Sequence, residues 1–169
     1  GLLVRLGSSD RLAALLDDQL GLVEKLGPAC PTDGDWATRY RACGFVRALA
    51  HPDHLALMLN PYDGHLWALD TGGRVVRELD LVDRGGTSRV RQQDDDSVSM
   101  SFTLVMGAGG VDRHGRLWTA PLPPDPGGEP VQTLVVRGRD LAPVAEFTLP
   151  QGVHAYEVFH APGGELVLT

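Results

Sequence analysis

The run Asp63-Gly64-His65-Leu66-Trp67-Ala68-Leu69-Asp70-Thr71-Gly72-Gly73-Arg74-Val75-Val76-Arg77-Glu78-Leu79-Asp80-Leu81 sets two apolar segments either side of an Asp-Thr-Gly-Gly turn. Its second half alternates Val75, Arg77, Leu79 and Leu81 with Val76, Glu78 and Asp80. Period-two patterning around a turn where glycine adopts φ > 0 at little cost specifies a β-hairpin. The hairpin is also repeated. Val76-Arg77-Glu78-Leu79 aligns with Val23-Glu24-Lys25-Leu26 and with Val144-Ala145-Glu146-Phe147, each preceded by a turn and an apolar run. A helix over residues 10–26 competes, since Leu, Ala, Glu and Lys favour helix, and the repeat alignment decides for a hairpin there.

A second kind of hairpin lies between the copies of the first. Phe45–Ala50 turns at His51-Pro52-Asp53 into His54–Leu59, and Gly110-Val111 turns at Asp112-Arg113-His114-Gly115 into Arg116–Ala120. Ala155–Phe159 turns at Ala161-Pro162-Gly163-Gly164 into Glu165–Leu168. Joining the two kinds gives a four-stranded unit A-B-C-D. Residues 1–27 hold strands B-C-D, 44–81 and 100–150 hold complete units, and 154–169 hold strands A-B. Four-stranded sheets repeated around an axis are the propeller answer to exposed sheet edges. The expected fold is therefore all-β, an incomplete ring of about three blades. Both ends fall within strand-like runs, so a fragment of a longer protein is expected.

At Gly110-Val111-Asp112-Arg113-His114-Gly115-Arg116-Leu117-Trp118 the sequence resembles the inner hairpin of NHL-type and related six-bladed bacterial β-propellers. The same segment is similar to the blade motif of two-component-regulator propellers and streptogramin-lyase-like proteins. Gly64–Gly73 also resembles the "A-L-D-x-x-T-G" run of quinoprotein blades, without the tryptophan those repeats place on the following strand. The resemblance implies that the A–B and C–D turns share one face, and that ligands bind on the other, among the B–C and D–A loops. Residues 27–44, 82–100 and 121–132 are the long connections, and all belong to that second face.

Long connections on one side of a rigid scaffold point to binding. The candidate residues are Asp35, Trp36, Arg39, Tyr40 and Arg41 in the first, and Arg84, Arg89, Arg91 and Gln92 in the second. Arginine with tryptophan or tyrosine is the composition of interface anchors, and clustered arginine takes anionic groups by bidentate contact. Cys30 and Cys43 lie in one Pro/Gly-rich loop, where a single bridge is expected if the protein is exported; two unpaired thiols are the alternative.

Other chemistry finds less support. A net charge of −7, from 15 Lys and Arg against 22 Asp and Glu, argues against an extended nucleic-acid surface. No apolar run approaches the roughly 20 residues of a membrane span. Asp94-Asp95-Asp96 lacks the spacing of a calcium loop and reads as a solvated tip. The histidines at 51, 54 and 114 read as turn residues opposite the long loops, while His65 starts a strand and His154 and His160 flank the last strand A, so no metal is expected. Gly107-Ala108-Gly109-Gly110 lacks the Lys-Ser/Thr of a phosphate loop, and its small residues fit crowded inner strands. No serine has a nucleophile-elbow context, and no motif asks for a cofactor.

The expectation is a non-enzymatic, extracytoplasmic scaffold that binds a protein, glycan or small ligand through its long loops. A lactonase-like hydrolase or lyase, and a sensor domain, are the alternatives.

Overall fold

The structure is a computed structural model and describes residues 2–5, 11–31, 33, 36–83, 85–92, 98–122, 132–153, 155, 158–160 and 166–168. In chain order the elements are β1 (Leu2–Arg5), β2 (Arg11–Leu16), β3 (Leu22–Ala29), α1 (Trp36–Cys43), β4 (Arg47–His51), β5 (His54–Asn60), β6 (His65–Leu69) and β7 (Val75–Asp80). There follow β8 (Ser88–Gln92), β9 (Val98–Phe102), β10 (Met106–Val111), β11 (Leu117–Pro121), β12 (Thr133–Arg137), β13 (Pro143–Thr148), β14 (Val158–His160) and β15 (Leu166–Leu168). Among the described residues the fold is all-β save for one helix. Each sheet is an antiparallel meander in sequence order: β1-β2-β3, β4-β5-β6-β7, β8-β9, β10-β11-β12-β13 and β14-β15.

The middle sheet is packed on both faces. β5 carries Ala56 and Met58 on one side and Leu57 and Leu59 on the other, all 1% exposed or less. Because side chains alternate across a strand, the two sets enter different cores. Ala56 and Met58 join Leu12, Ala13 and Leu26 of the β1–β3 sheet. Leu57 and Leu59 join Met106, Leu117 and Leu141 of the β10–β13 sheet. β6 divides likewise, with Leu69 facing the first core and Leu66 and Ala68 the second. The sheets thus stack in series. Across these contacts β10 neighbours β4 on one side and β14 on the other. The glycines of β10 fit that crowding: a Cβ on Gly109 would run into Leu59, and one on Gly107 would stand 2.8 Å from the Ala155 carbonyl.

Four of the hairpin turns share one five-residue design, at residues 17–21, 70–74, 112–116 and 138–142. In each, the first N–H donates to the fifth carbonyl at 2.8–2.9 Å. The fourth residue takes φ between 62° and 76° and is Leu20, Gly73, Gly115 or Leu141. In the first three turns the leading aspartate accepts from the third and fifth N–H groups, as Asp112 does from His114 at 2.8 Å and Arg116 at 2.9 Å. An Asx side chain replaces the backbone hydrogen bonds such a turn leaves open, which is why Asp heads three of them.

Asp112 is the most enclosed of these carboxylates, its side chain 1% exposed, and its second oxygen accepts from Arg116 Nε at 2.6 Å and Trp118 Nε1 at 3.1 Å. Burial works against its charge, but the hydrogen bonds from Arg116, Trp118 and His114 outweigh it and hold the carboxyl at about 2, below its ordinary 3.8. A depressed carboxylate stabilises the fold fully above its ordinary value and loses that contribution as pH falls toward the folded one. Between pH 4 and pH 2, then, about 2 kcal/mol of stability should disappear. Asp112→Asn should flatten that part of the pH–stability curve in urea titrations, while lowering stability at neutral pH.

Two expectations need correction. Residues 27–44 are not a plain loop: β3 continues to Ala29 and residues 36–43 are helical. Residues 82–100 are not a loop either, since β8 and β9 pair from Ser88↔Phe102 to Gln92↔Val98. The signal for β9 was present in Val98-Ser99-Met100-Ser101-Phe102, a strict alternation. The tip Asp94-Asp95-Asp96 lies outside the described residues.

Candidate functional site

The two connections between the large sheets fold back onto one end of the β4–β7 sheet, the end that carries the β5–β6 turn. Asn60, the last residue of β5 and 1% exposed, organises the junction. Its Nδ2 donates to the carbonyls of Arg41 at 3.2 Å and Ala42 at 3.0 Å, near the end of α1, and its Oδ1 accepts from Tyr62 N at 2.9 Å. A helix end leaves its last carbonyls unpaired, so one buried amide satisfies both the helix and the turn.

Four rings complete the join. Phe45 meets Tyr40 at 4.8 Å, Tyr62 at 4.7 Å and Phe102 at 5.6 Å between centroids, which ties α1, the β5–β6 turn and β9 into one aromatic cluster. Arg41 adds polar stitches, donating from its guanidinium to the Gly86 carbonyl at 2.8 Å and lying 3.2 Å from Asp63. A disulfide between Cys30 and Cys43, with Cα atoms 6.0 Å apart, links the end of α1 to the chain leaving β3.

Beneath this join, between the β1–β3 and β4–β7 sheets, is a cavity of about 390 Å³. Leu12, Pro28, Ala29 and Pro31 form one wall, and Ala42 and Cys43 of α1 another. The third comes from the β4–β7 sheet: Asn60, Asp63, His65, Trp67 and Glu78. Strand register explains this grouping. His65 and Trp67 are two apart on β6, so they share a face, and they pair across the ladder with Asp80 and Glu78 of β7. The His65 ring lies against Trp67 with centroids 4.4 Å apart. Its Nδ1 is 2.7 Å from Asp80 Oδ1 and its Nε2 3.7 Å from Glu78 Oε2.

Of the residues singled out from sequence, Tyr40 and Arg41 belong to this assembly. Arg39 is exposed on α1, and Arg89 and Arg91 are exposed on one face of β8. Trp36 opens α1 and Gln92 ends β8; Asp35 and Arg84 lie outside the described residues. The arginines do not converge on a common point of the cavity wall. Sequence reasoning missed Asn60, Asp63, His65, Trp67 and Glu78, although His-x-Trp opposite Glu-x-Asp on paired strands places two aromatic and two acidic groups on one face.

His51 and His54 sit at the opposite end, where β4 turns into β5. His51 is 8% exposed, accepts from Asp53 N at Nδ1 and bonds the Gly115 carbonyl through Nε2, so it is held neutral between two turns. Burial first, then the neighbouring His54, lowers its pKa. His114 is an exposed residue of the 112–116 turn, and His154 lies outside the described residues. Among the described residues no group of three His, Cys, Asp or Glu side chains is placed to hold a metal ion. No helix among them is long and apolar enough to cross a membrane. Neither a protein-family model nor a curated protein sequence matches the chain.

Proposed function

We propose that this chain is a non-enzymatic binding scaffold of the β-propeller type, akin to NHL-like repeats, and that it takes a small ligand in the cavity at its connection end. The observation that carries the reading is the cavity's composition. The β4–β7 sheet supplies its polar and aromatic wall, and the connection from β3 through α1 contributes Pro28, Ala29, Pro31, Ala42 and Cys43, so the cavity combines a rigid sheet with a long connection, an arrangement in which ligand pockets commonly form. Serial stacking of four-stranded meanders, with β4, β10 and β14 side by side, supports the propeller assignment. The Cys30–Cys43 bridge supports an extracytoplasmic location, where disulfides persist.

A thermal-shift screen of small amines, acids, sugars and nucleosides tests the proposal. At least one class should raise the melting temperature of the wild type by about 5–10 °C at saturating concentration, as ligand linkage requires. The Trp67→Ala, Glu78→Gln double variant should show no ligand-dependent shift. Equal shifts in both proteins would place the site elsewhere.

A further inference from the structure

The cavity's chemistry narrows the ligand, provided the cavity is the binding site proposed above. We infer that it accepts a small organic cation, an alkylammonium with an apolar body. Its charged lining is acidic: Asp63 and Glu78 contribute carboxylates, and the lining holds no lysine or arginine among the described residues. Asp63 has a fixed position, since Arg41 Nε lies 3.2 Å from its Oδ1 and Asn60 Nδ2 3.5 Å from its Oδ2. Glu78 stands at the rim with its side chain 57% exposed, where an incoming charge would meet it first. Trp67 and His65 add ring faces, and an indole is the strongest neutral partner for an ammonium group. Leu12, Pro28, Pro31 and Ala42 offer hydrocarbon but no side-chain hydrogen-bonding group. A polyhydroxylated sugar would leave most of its hydroxyls unpaired on those walls, and an anion would face the Glu78 carboxylate, Asp63 being paired with Arg41. An alkylammonium places its charge between Glu78 and Trp67 and its chain on the apolar side.

The test uses three probes of matched shape, n-butylammonium, n-butanol and butyrate, titrated at low salt and followed at the Trp67 indole N–H by NMR. Butylammonium should saturate with an affinity at least about tenfold above butanol, and butyrate should not saturate. Glu78→Gln should weaken butylammonium about threefold to fivefold, and Glu146→Gln, at the matching place in the β10–β13 sheet, should leave it unchanged. Equal affinities for butylammonium and butanol, or no effect of Glu78→Gln, would overturn the inference while leaving the cavity as a binding site. Absence of a saturable shift at Trp67 with all three probes would overturn it together with the small-ligand reading of the cavity.

Discussion

Leu141→Ala should destabilise the protein by about 3–4 kcal/mol, with a fall in melting temperature of about 6–15 °C. Leu141 is a turn residue, yet it is 1% exposed and packs with Leu57, Leu66 and Ala68 of the neighbouring sheet. It is also held at φ 62°, a conformation that costs a non-glycine residue about 1–2 kcal/mol. The sequence tolerates that cost because the side chain plugs one sheet into the next. Leu141→Gly should therefore recover about 1 kcal/mol relative to Leu141→Ala by relieving the backbone, without restoring the packing. Leu20 is the control. It occupies the same position of its own turn at φ 63° but is 68% exposed, so Leu20→Gly should be neutral or stabilise by up to about 1 kcal/mol. Denaturant unfolding of the three variants separates packing from backbone strain. A loss below about 1 kcal/mol for Leu141→Ala would mean that sheet-on-sheet contact contributes little to stability.

The second large effect concerns the bridge. Removing the disulfide with Cys30→Ala and Cys43→Ala should cost about 3 kcal/mol, the loop-closure estimate for a sequence separation of 13. The loss should not be evenly spread. α1 is short: of its described side chains Ala37, 3% exposed, and Cys43, 6% exposed, are buried, while Tyr40 joins the aromatic cluster. Eight residues of helix do not hold together on propensity alone. The bridge, the Asn60 amide and the aromatic cluster hold it in place, so its amides should lose hydrogen-exchange protection well before those of β5 and β6. Wild-type protein in excess dithiol should behave like the double variant. If protection in α1 is unchanged after reduction, Asn60 and the rings suffice to seat the helix.

The strands of the two four-stranded sheets were legible because period-two alternation is strong there and the turns carry Asp and Gly at the positions the backbone demands. β5 was legible for a further reason: Leu55-Ala56-Leu57-Met58-Leu59 is apolar on both faces, as a strand between two packed sheets must be. The helix was not legible. Trp36-Ala37-Thr38-Arg39-Tyr40-Arg41-Ala42-Cys43 presents no continuous apolar stripe, and the contacts that fix it come from residues distant in sequence, Asn60 and Phe102. Residue type points first to the segment holding Tyr40 and Arg41, which the structure places in the join, and next to Arg89 and Arg91, which it places on an exposed strand face. The polar and aromatic wall is hard to read from sequence because His65, Trp67 and Glu78 lie within strands whose pattern reads as scaffold. Trp67 and His65 belong to the fold-bearing hairpin, and the cross-strand pairing with Glu78 and Asp80 makes them one surface.

Binding at the connection end of the sheets, as proposed, should leave the end with the short turns unperturbed by ligand. A fragment screen read by backbone and indole NMR shifts tests it most directly. Perturbations should gather at the Trp67 indole and at the amides of Ala29, Ala42, Asn60 and Asp63. Perturbations confined to the turns at 70–74, 112–116 and 138–142, with the Trp67 indole unmoved, would contradict it.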